Sequence, residues 1–106
     1  MQQMTPTQLR DYLERVETPP LLLDVRENWE FEICSIDNSL LIPMGQIPAK
    51  LDQIASDQEI VVICHHGIRS ANVCRYLEHQ GYEQMINLSG GVDAWAKDVD
   101  INMAVY

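Results

Sequence analysis

The chain has 106 residues, with seven basic and 16 acidic side chains and a formal net charge of −9. A content of 46% hydrophobic and 22% charged residues is ordinary for one folded domain and argues against a disordered chain. The negative charge argues against a broad nucleic-acid or membrane surface, and no apolar run approaches the roughly 20 residues of a membrane span.

The first half of the chain alternates helical and extended patterns. Apolar residues at helical spacing follow Thr5, a suitable N-cap, whereas residues 21–25 form a short, nearly unbroken apolar run typical of a strand covered on both faces. In chain order, the predictions are a helix from Thr5 to about residue 16, a strand over 21–25, a short helix capped by Asn28, a strand over 39–42 and a helix over 44–55.

The second half contains the strongest strand signal, the β-branched run at residues 60–64. The predictions that follow are a helix over 69–80 stopped by Gly81, a strand over 85–88, a turn at 89–91 and a short helix over 92–97. This alternation predicts a single α/β domain over residues 1–106, with a small, mostly parallel sheet flanked by helices on both faces. The tail, residues 98–106, carries only weak signals.

The N-terminus and the cysteines indicate the cellular compartment. Residues 1–6 lack the basic start and apolar stretch of a secretory signal peptide, so we expect a cytoplasmic protein. The three cysteines are then expected to be reduced, and their odd number argues against a disulfide scaffold.

The loop that follows the best strand contains the residues best suited to chemistry. Cys64 ends this strand, and a helix is predicted to begin a few residues later. Converging N–H groups of a tight loop, the positive end of the helix and the charge of Arg69 all favour a nucleophilic thiolate. Gly67 permits a turn that a side chain would hinder. The candidate loop residues are Cys64, His65, His66, Gly67, Ile68, Arg69 and Ser70.

Three segments resemble signatures of the rhodanese family of sulfurtransferases. The loop has the pattern Cys-x-x-Gly-x-Arg-Ser, residues 23–31 resemble the family's first signature, and Leu88-x-Gly-Gly-x-x-Ala-Trp resembles its last. Their order and spacing agree over about residues 5–97. The resemblance implies a rhodanese-like fold in which Cys64 is the catalytic residue.

The resemblance also implies a mechanism, in which Cys64 takes the outer sulfur of thiosulfate or a persulfide donor and sulfite leaves. The persulfide, cradled by N–H groups of residues 65–69, then gives its sulfur to a thiophilic acceptor, cyanide in vitro or a protein thiol in a sulfur relay. Arg69 would hold the loop and attract the anionic donor. No metal or organic cofactor is needed, and we expect a monomer whose partners are this small anion and a protein sulfur donor or acceptor.

Two other functions fit the same pattern. Phosphatases and arsenate reductases of related fold place five residues between cysteine and arginine, whereas Cys64 and Arg69 are separated by four. This shorter loop leaves room for one extra sulfur and fits a phosphate poorly. A non-catalytic rhodanese interaction module is the other alternative, although such modules usually lose the cysteine. One departure from the family is Cys34-Ser35-Ile36, where Gly-His-Ile is common.

Asp24, Arg26 and Cys34 each have a structural and a functional interpretation, and both stay open. Asp24 and Arg26 either fix the loop before Trp29 or lie near the pocket as supporting residues. Cys34 is a free thiol or a resolving partner for Cys64.

The histidines and large apolar residues need separate interpretations. We expect the rings of His65 and His66 to diverge at the mouth of the pocket, and we expect no metal site. The residues expected in the core are Trp29, Cys74 and Trp95.

Overall fold

A computed structural model of the chain describes residues 1–106. Five parallel strands form one sheet in the order β1-β5-β4-β2-β3, which confirms the predicted α/β architecture. The strands are β1 (Gln2–Met4), β2 (Leu21–Asp24), β3 (Leu40–Leu41), β4 (Ile60–Ile63) and β5 (Met85–Leu88). The helices are α1 (Pro6–Arg15), α2 (Asn28–Ile33), α3 (Ile68–His79) and α4 (Gly91–Asp98).

Helices cover the sheet on both faces, and each face has its own apolar core. Alternation along β4 sends Val62 to one face and Val61 with Ile63 to the other. The first core includes Val73 and Leu77 of α3, and the second joins α1 to α4. Cys74 and Trp95 lie in these cores as predicted, and burial raises the pKa of the Cys74 thiol to about 12.

Several element boundaries differ from the predictions. Gln2–Met4 forms an edge strand that the sequence did not indicate. The predicted helix over 44–55 is instead two short 3₁₀ turns, Met44–Gln46 and Pro48–Gln53, because Pro48 cannot donate a helical hydrogen bond and the backbone at Lys50 is non-helical. Glu27, rather than Asn28, is the N-cap of α2.

The parallel strands bring three chain segments to one edge of the sheet. Cys64 follows β4, the loop to α2 follows β2, and the turn to α4 follows β5. Carboxyl ends of parallel strands are where open α/β proteins place their sites. None of the helices combines the length and apolar character that crossing a membrane requires.

Candidate active site

The sulfur of Cys64 lies at the N-terminus of α3. Cys64 is 1% exposed, and its Sγ accepts a hydrogen bond from the Gly67 N–H over 3.0 Å. Gly67 is the N-cap of α3 with φ +97°, a left-handed conformation that only glycine adopts without strain. The Sγ also lies 3.2 Å from the Ser70 hydroxyl. One loop N–H, that of Gly67, therefore bonds the sulfur, alongside the positive end of a twelve-residue helix.

The start of α4 supports the loop from the other side. The N–H groups of Val92 and Asp93 donate to the carbonyls of Cys64 and His65 over 2.9 and 3.1 Å. A Cβ on Gly91 would lie only 2.3 Å from the Cys64 carbonyl oxygen. The start of α4 therefore has a glycine at the point where its main chain packs against the main chain of the Cys64 loop.

Arg69 is held by a carboxylate of α2. Its guanidinium donates to both oxygens of Glu30 over 2.7 and 2.8 Å. Hydrogen bonding from Arg69 lowers the pKa of Glu30 to about 2, and Arg69 in turn has a raised pKa. Arg69 therefore joins the first turn of α3 to α2 with its charge already paired, and its expected roles in holding the loop and attracting the donor stay predictions.

Asp24 and Arg26 form a fully buried ion pair at the end of β2. Both side chains are 0% exposed, with Arg26 Nη2 and Asp24 Oδ2 2.8 Å apart. Arg26 also donates to the carbonyls of Glu30 and Cys34, over 3.3 and 2.7 Å. These bonds fasten the middle and the C-terminal end of α2 to the sheet, and a supporting role of the pair near the pocket stays a prediction.

Tyr106, the last residue of the chain, contacts both α2 and the loop, and no sequence pattern indicated this. Its hydroxyl donates to Glu30 over 2.7 Å and accepts from Arg26 over 3.0 Å, while its ring stacks on His65 with centroids 3.8 Å apart. Burial raises the pKa of Tyr106 to about 12, so the hydroxyl keeps its proton. We call Asp24, Arg26, Glu30, Arg69 and Tyr106 the charged cluster.

Trp29 lies beside this cluster, and the prediction that it belongs to the core is wrong. The indole is 59% exposed and meets the ring of Tyr106 edge-on. The buried residue of α2 is instead Glu30, because the partners on the inward side are Arg69 and Arg26.

The histidine rings do not diverge as expected but lie together, with centroids 3.9 Å apart. Burial, followed by the proximity of His66, lowers the pKa of His65 and so disfavours its charged form. His65, His66 and Asp93 bring ligand-type atoms within 4.8 Å of one another and are the residues that could hold a metal ion. The Asp93 carboxylate already accepts from Lys97 over 2.9 Å.

The other residues of the site lie at different depths below the surface. Ile68 and His66 are exposed at the rim of the loop, and Ser70 is buried in the first turn of α3. Cys34 is a free, half-buried thiol 3.7 Å from Arg26 Nη1. Asn87 of β5, buried and bonded to Ser70, was missed, although a lone polar residue in an apolar strand was a usable signal.

Comparisons with known proteins identify relatives that match most of the chain. A family model described as a rhodanese-like domain matches residues 5–98. A sulfurtransferase of Allochromatium vinosum is 40% identical over 73% of this chain and 72% of its own length. The putative sulfurtransferase YtwF of Bacillus subtilis is 45% identical over 70% of this chain and 71% of its own. The crystal structure of a rhodanese-like domain protein from Staphylococcus aureus superposes with a TM-score of 0.85 at 32% identity, covering 100% and 99% of the two chains.

Proposed function

The chain belongs to the rhodanese-like domain family, and from this we propose that it moves a sulfane sulfur through a persulfide on Cys64. The observation that supports this most is the position of the Cys64 sulfur, 3.0 Å from the Gly67 nitrogen at the start of α3. Backbone N–H groups at a helix N-terminus stabilise an anionic sulfur without any charged side chain.

The first step transfers sulfur from donor to enzyme. The Cys64 thiolate attacks the outer sulfur of thiosulfate, a new S–S bond forms, and sulfite leaves with the electron pair of the broken S–S bond. The terminal sulfur of the resulting persulfide carries the negative charge. A relative from Vibrio cholerae, 31% identical over 70% of this chain, is named thiosulfate sulfurtransferase GlpE, which supports thiosulfate as donor.

The second step passes the sulfur on. The acceptor, cyanide in vitro or a protein thiol, attacks the terminal sulfur, and the electron pair of the persulfide bond returns to Cys64. Neither step draws on a metal or an organic cofactor. A protein partner is supported by a fused relative, the probable adenylyltransferase/sulfurtransferase MoeZ of Mycobacterium tuberculosis, of which this chain matches 26%.

Mass spectrometry tests the proposal directly. Incubation with thiosulfate should add the mass of one sulfur atom to the protein, and Cys64→Ala should abolish that gain. Cys34→Ser is the matched control, since it removes another free thiol and should leave the gain intact. A Cys64→Ala protein that still gains sulfur would refute the mechanism, and a wild-type protein that gains none would indicate an interaction module.

A phosphatase assay tests the competing enzyme. The four-residue spacing between Cys64 and Arg69 and the pairing of Arg69 with Glu30 leave little to bind a phosphate. An aryl phosphate should therefore be hydrolysed hardly at all, while thiocyanate forms from thiosulfate and cyanide. Rapid phosphate release with no thiocyanate would favour the phosphatase.

A further inference from the structure

A buried chain of hydrogen bonds leads from β5 to the reacting sulfur. Asn87 is 4% exposed, and its side-chain nitrogen donates to the Gly67 carbonyl over 3.2 Å and to Gln3 Oε1 over 3.0 Å. Its side-chain oxygen contacts the hydroxyl of Ser70, which in turn lies 3.2 Å from Cys64 Sγ. Gly67 is thus bonded by its N–H to the sulfur and by its carbonyl to Asn87.

The Gly67 carbonyl determines the donor and the acceptor of each hydrogen bond between Asn87, Ser70 and Cys64. A carbonyl can only accept, so the amide group that faces it must be the NH₂ of Asn87. The Asn87 oxygen then faces Ser70, and the single hydroxyl proton of Ser70 is donated to Asn87. Ser70 therefore presents a lone pair to Cys64, which suits a thiol S–H that donates to it.

This arrangement changes its effect when Cys64 loses its proton. A thiolate has no proton to donate and faces the Ser70 lone pair, with the Gly67 N–H as its remaining donor. Ser70 can help the thiolate only by turning its proton from Asn87 to the sulfur. That rotation leaves the buried Asn87 oxygen without a donor, which is unfavourable.

We propose that Asn87 is a positioning residue that restrains the reactivity of Cys64 through Ser70. It competes with the sulfur for the one hydroxyl proton and so favours the thiol over the thiolate. The inference deepens the proposed function and rests on it in one respect, that Cys64 is the reacting thiol.

Alkylation of Cys64 by iodoacetamide tests this without any sulfur donor. Tryptic cleavage after Arg26, Lys50, Arg69 and Arg75 separates the three cysteines into different peptides, so the rate at Cys64 is read on residues 51–69 alone. Replacing Asn87 by leucine releases the Ser70 proton to the thiolate. We expect Asn87→Leu to alkylate about 3- to 10-fold faster at neutral pH, the equivalent of one hydrogen bond, with the acidic limb of the rate profile moved to lower pH.

A double-mutant cycle separates this effect from a loosened loop. On a Ser70→Ala background, Asn87→Leu should change the alkylation rate by less than about 2-fold, because the proton it releases is absent. The charged and titratable groups around the loop stay the same in every variant. They are His65 and His66 of the loop, Arg69 and Cys74 of α3, Glu30 of α2, Asp93 of α4 and Tyr106.

Control variants complete the experiment. Ser89→Ala removes a bond to the same Gln3 oxygen without touching Ser70 and should leave the rate unchanged. Asn87→Ala makes the same deletion with a smaller side chain if Asn87→Leu folds poorly. Unchanged or slower alkylation in the Asn87 variants, or an equal increase on the Ser70→Ala background, would overturn the inference. Failure of thiosulfate to load sulfur, with the alkylation pattern as expected, would overturn the proposed function instead.

Discussion

The loop of residues 64–70 and the charged cluster beside it are held in place in different ways. Main-chain groups hold the loop, through the N–H groups of Gly67, Val92 and Asp93. Side-chain charges hold the cluster, whose members come from chain positions as distant as 24 and 106. Arg69 belongs to both and joins them. Substitutions in the cluster should therefore reduce stability most, and substitutions against the loop backbone should reduce sulfur transfer most.

The largest effect is expected from Asp24→Ala. It leaves the guanidinium of Arg26 fully buried without its carboxylate, which typically costs about 3–5 kcal/mol in the free energy of unfolding. Chemical denaturation of the variant and the wild type measures this loss. Asp57→Ala, at an exposed acidic position, is the control and should change stability by less than about 0.5 kcal/mol. A comparable loss in both variants would contradict the importance of the ion pair.

Acid should weaken the Arg69–Glu30 ion pair, which joins the loop to the charged cluster. The pKa of Glu30 is about 2 in the folded protein and 4.5 as its ordinary value, so its contribution to stability is complete above pH 4.5 and is lost as pH falls toward 2. The difference corresponds to about 3 kcal/mol at neutral pH. Glu30→Gln should lose this amount and show a flatter stability profile over that range, measured by urea midpoints at each pH.

The neighbouring carboxylate provides the control for this titration. Glu32 lies exposed on the same helix, and Glu32→Gln should keep the wild-type pH profile. A wild-type protein equally stable at pH 2 and pH 5 would show that the Arg69–Glu30 pair does not stabilise the fold.

On the loop side, Gly91→Ala should reduce sulfur transfer more than stability. Its φ of +60° is strained for alanine, and the new Cβ would lie 2.3 Å from the Cys64 carbonyl oxygen, so the loop must shift. We expect thiocyanate formation to fall about 10-fold, which equals about 1.4 kcal/mol. Gly45→Ala, with nothing near its Cβ, should keep full activity. Full activity in Gly91→Ala would show that the loop tolerates displacement.

The smallest effect is expected from Tyr106→Phe. The change removes the hydrogen bonds to Glu30 and Arg26 and keeps the ring stacked on His65, so the free energy of unfolding should fall by about 1 kcal/mol. Tyr106→Ala removes the stacking as well and should be less stable than Tyr106→Phe. Equal thermal midpoints for wild type and both variants would mean that the tail does not support the cluster.

The errors about individual side chains arise where their partners are remote in the chain, unlike the local errors at residues 44–55 and at the N-cap of α2. The size and apolar character of Trp29 predict a core position. Glu30 is instead the buried residue of α2, because it is bonded to arginine partners on the inward side. The histidine rings were expected to diverge, yet Tyr106 stacks on one and brings an aromatic surface to the pair. In each case the deciding contact comes from a residue distant in the chain.

Apart from β1 and the 3₁₀ turns of residues 44–53, the sequence by itself determined the alternating elements, the parallel sheet and the loop at Cys64, because these depend on local periodicity, strand composition and glycine placement within a few residues. The tertiary structure decided which groups surround that loop. Asn87, Glu30 and Tyr106 reach it only after the strands align, because hydrogen bonds and ion pairs act over a few ångströms in space and leave no regular spacing along the chain.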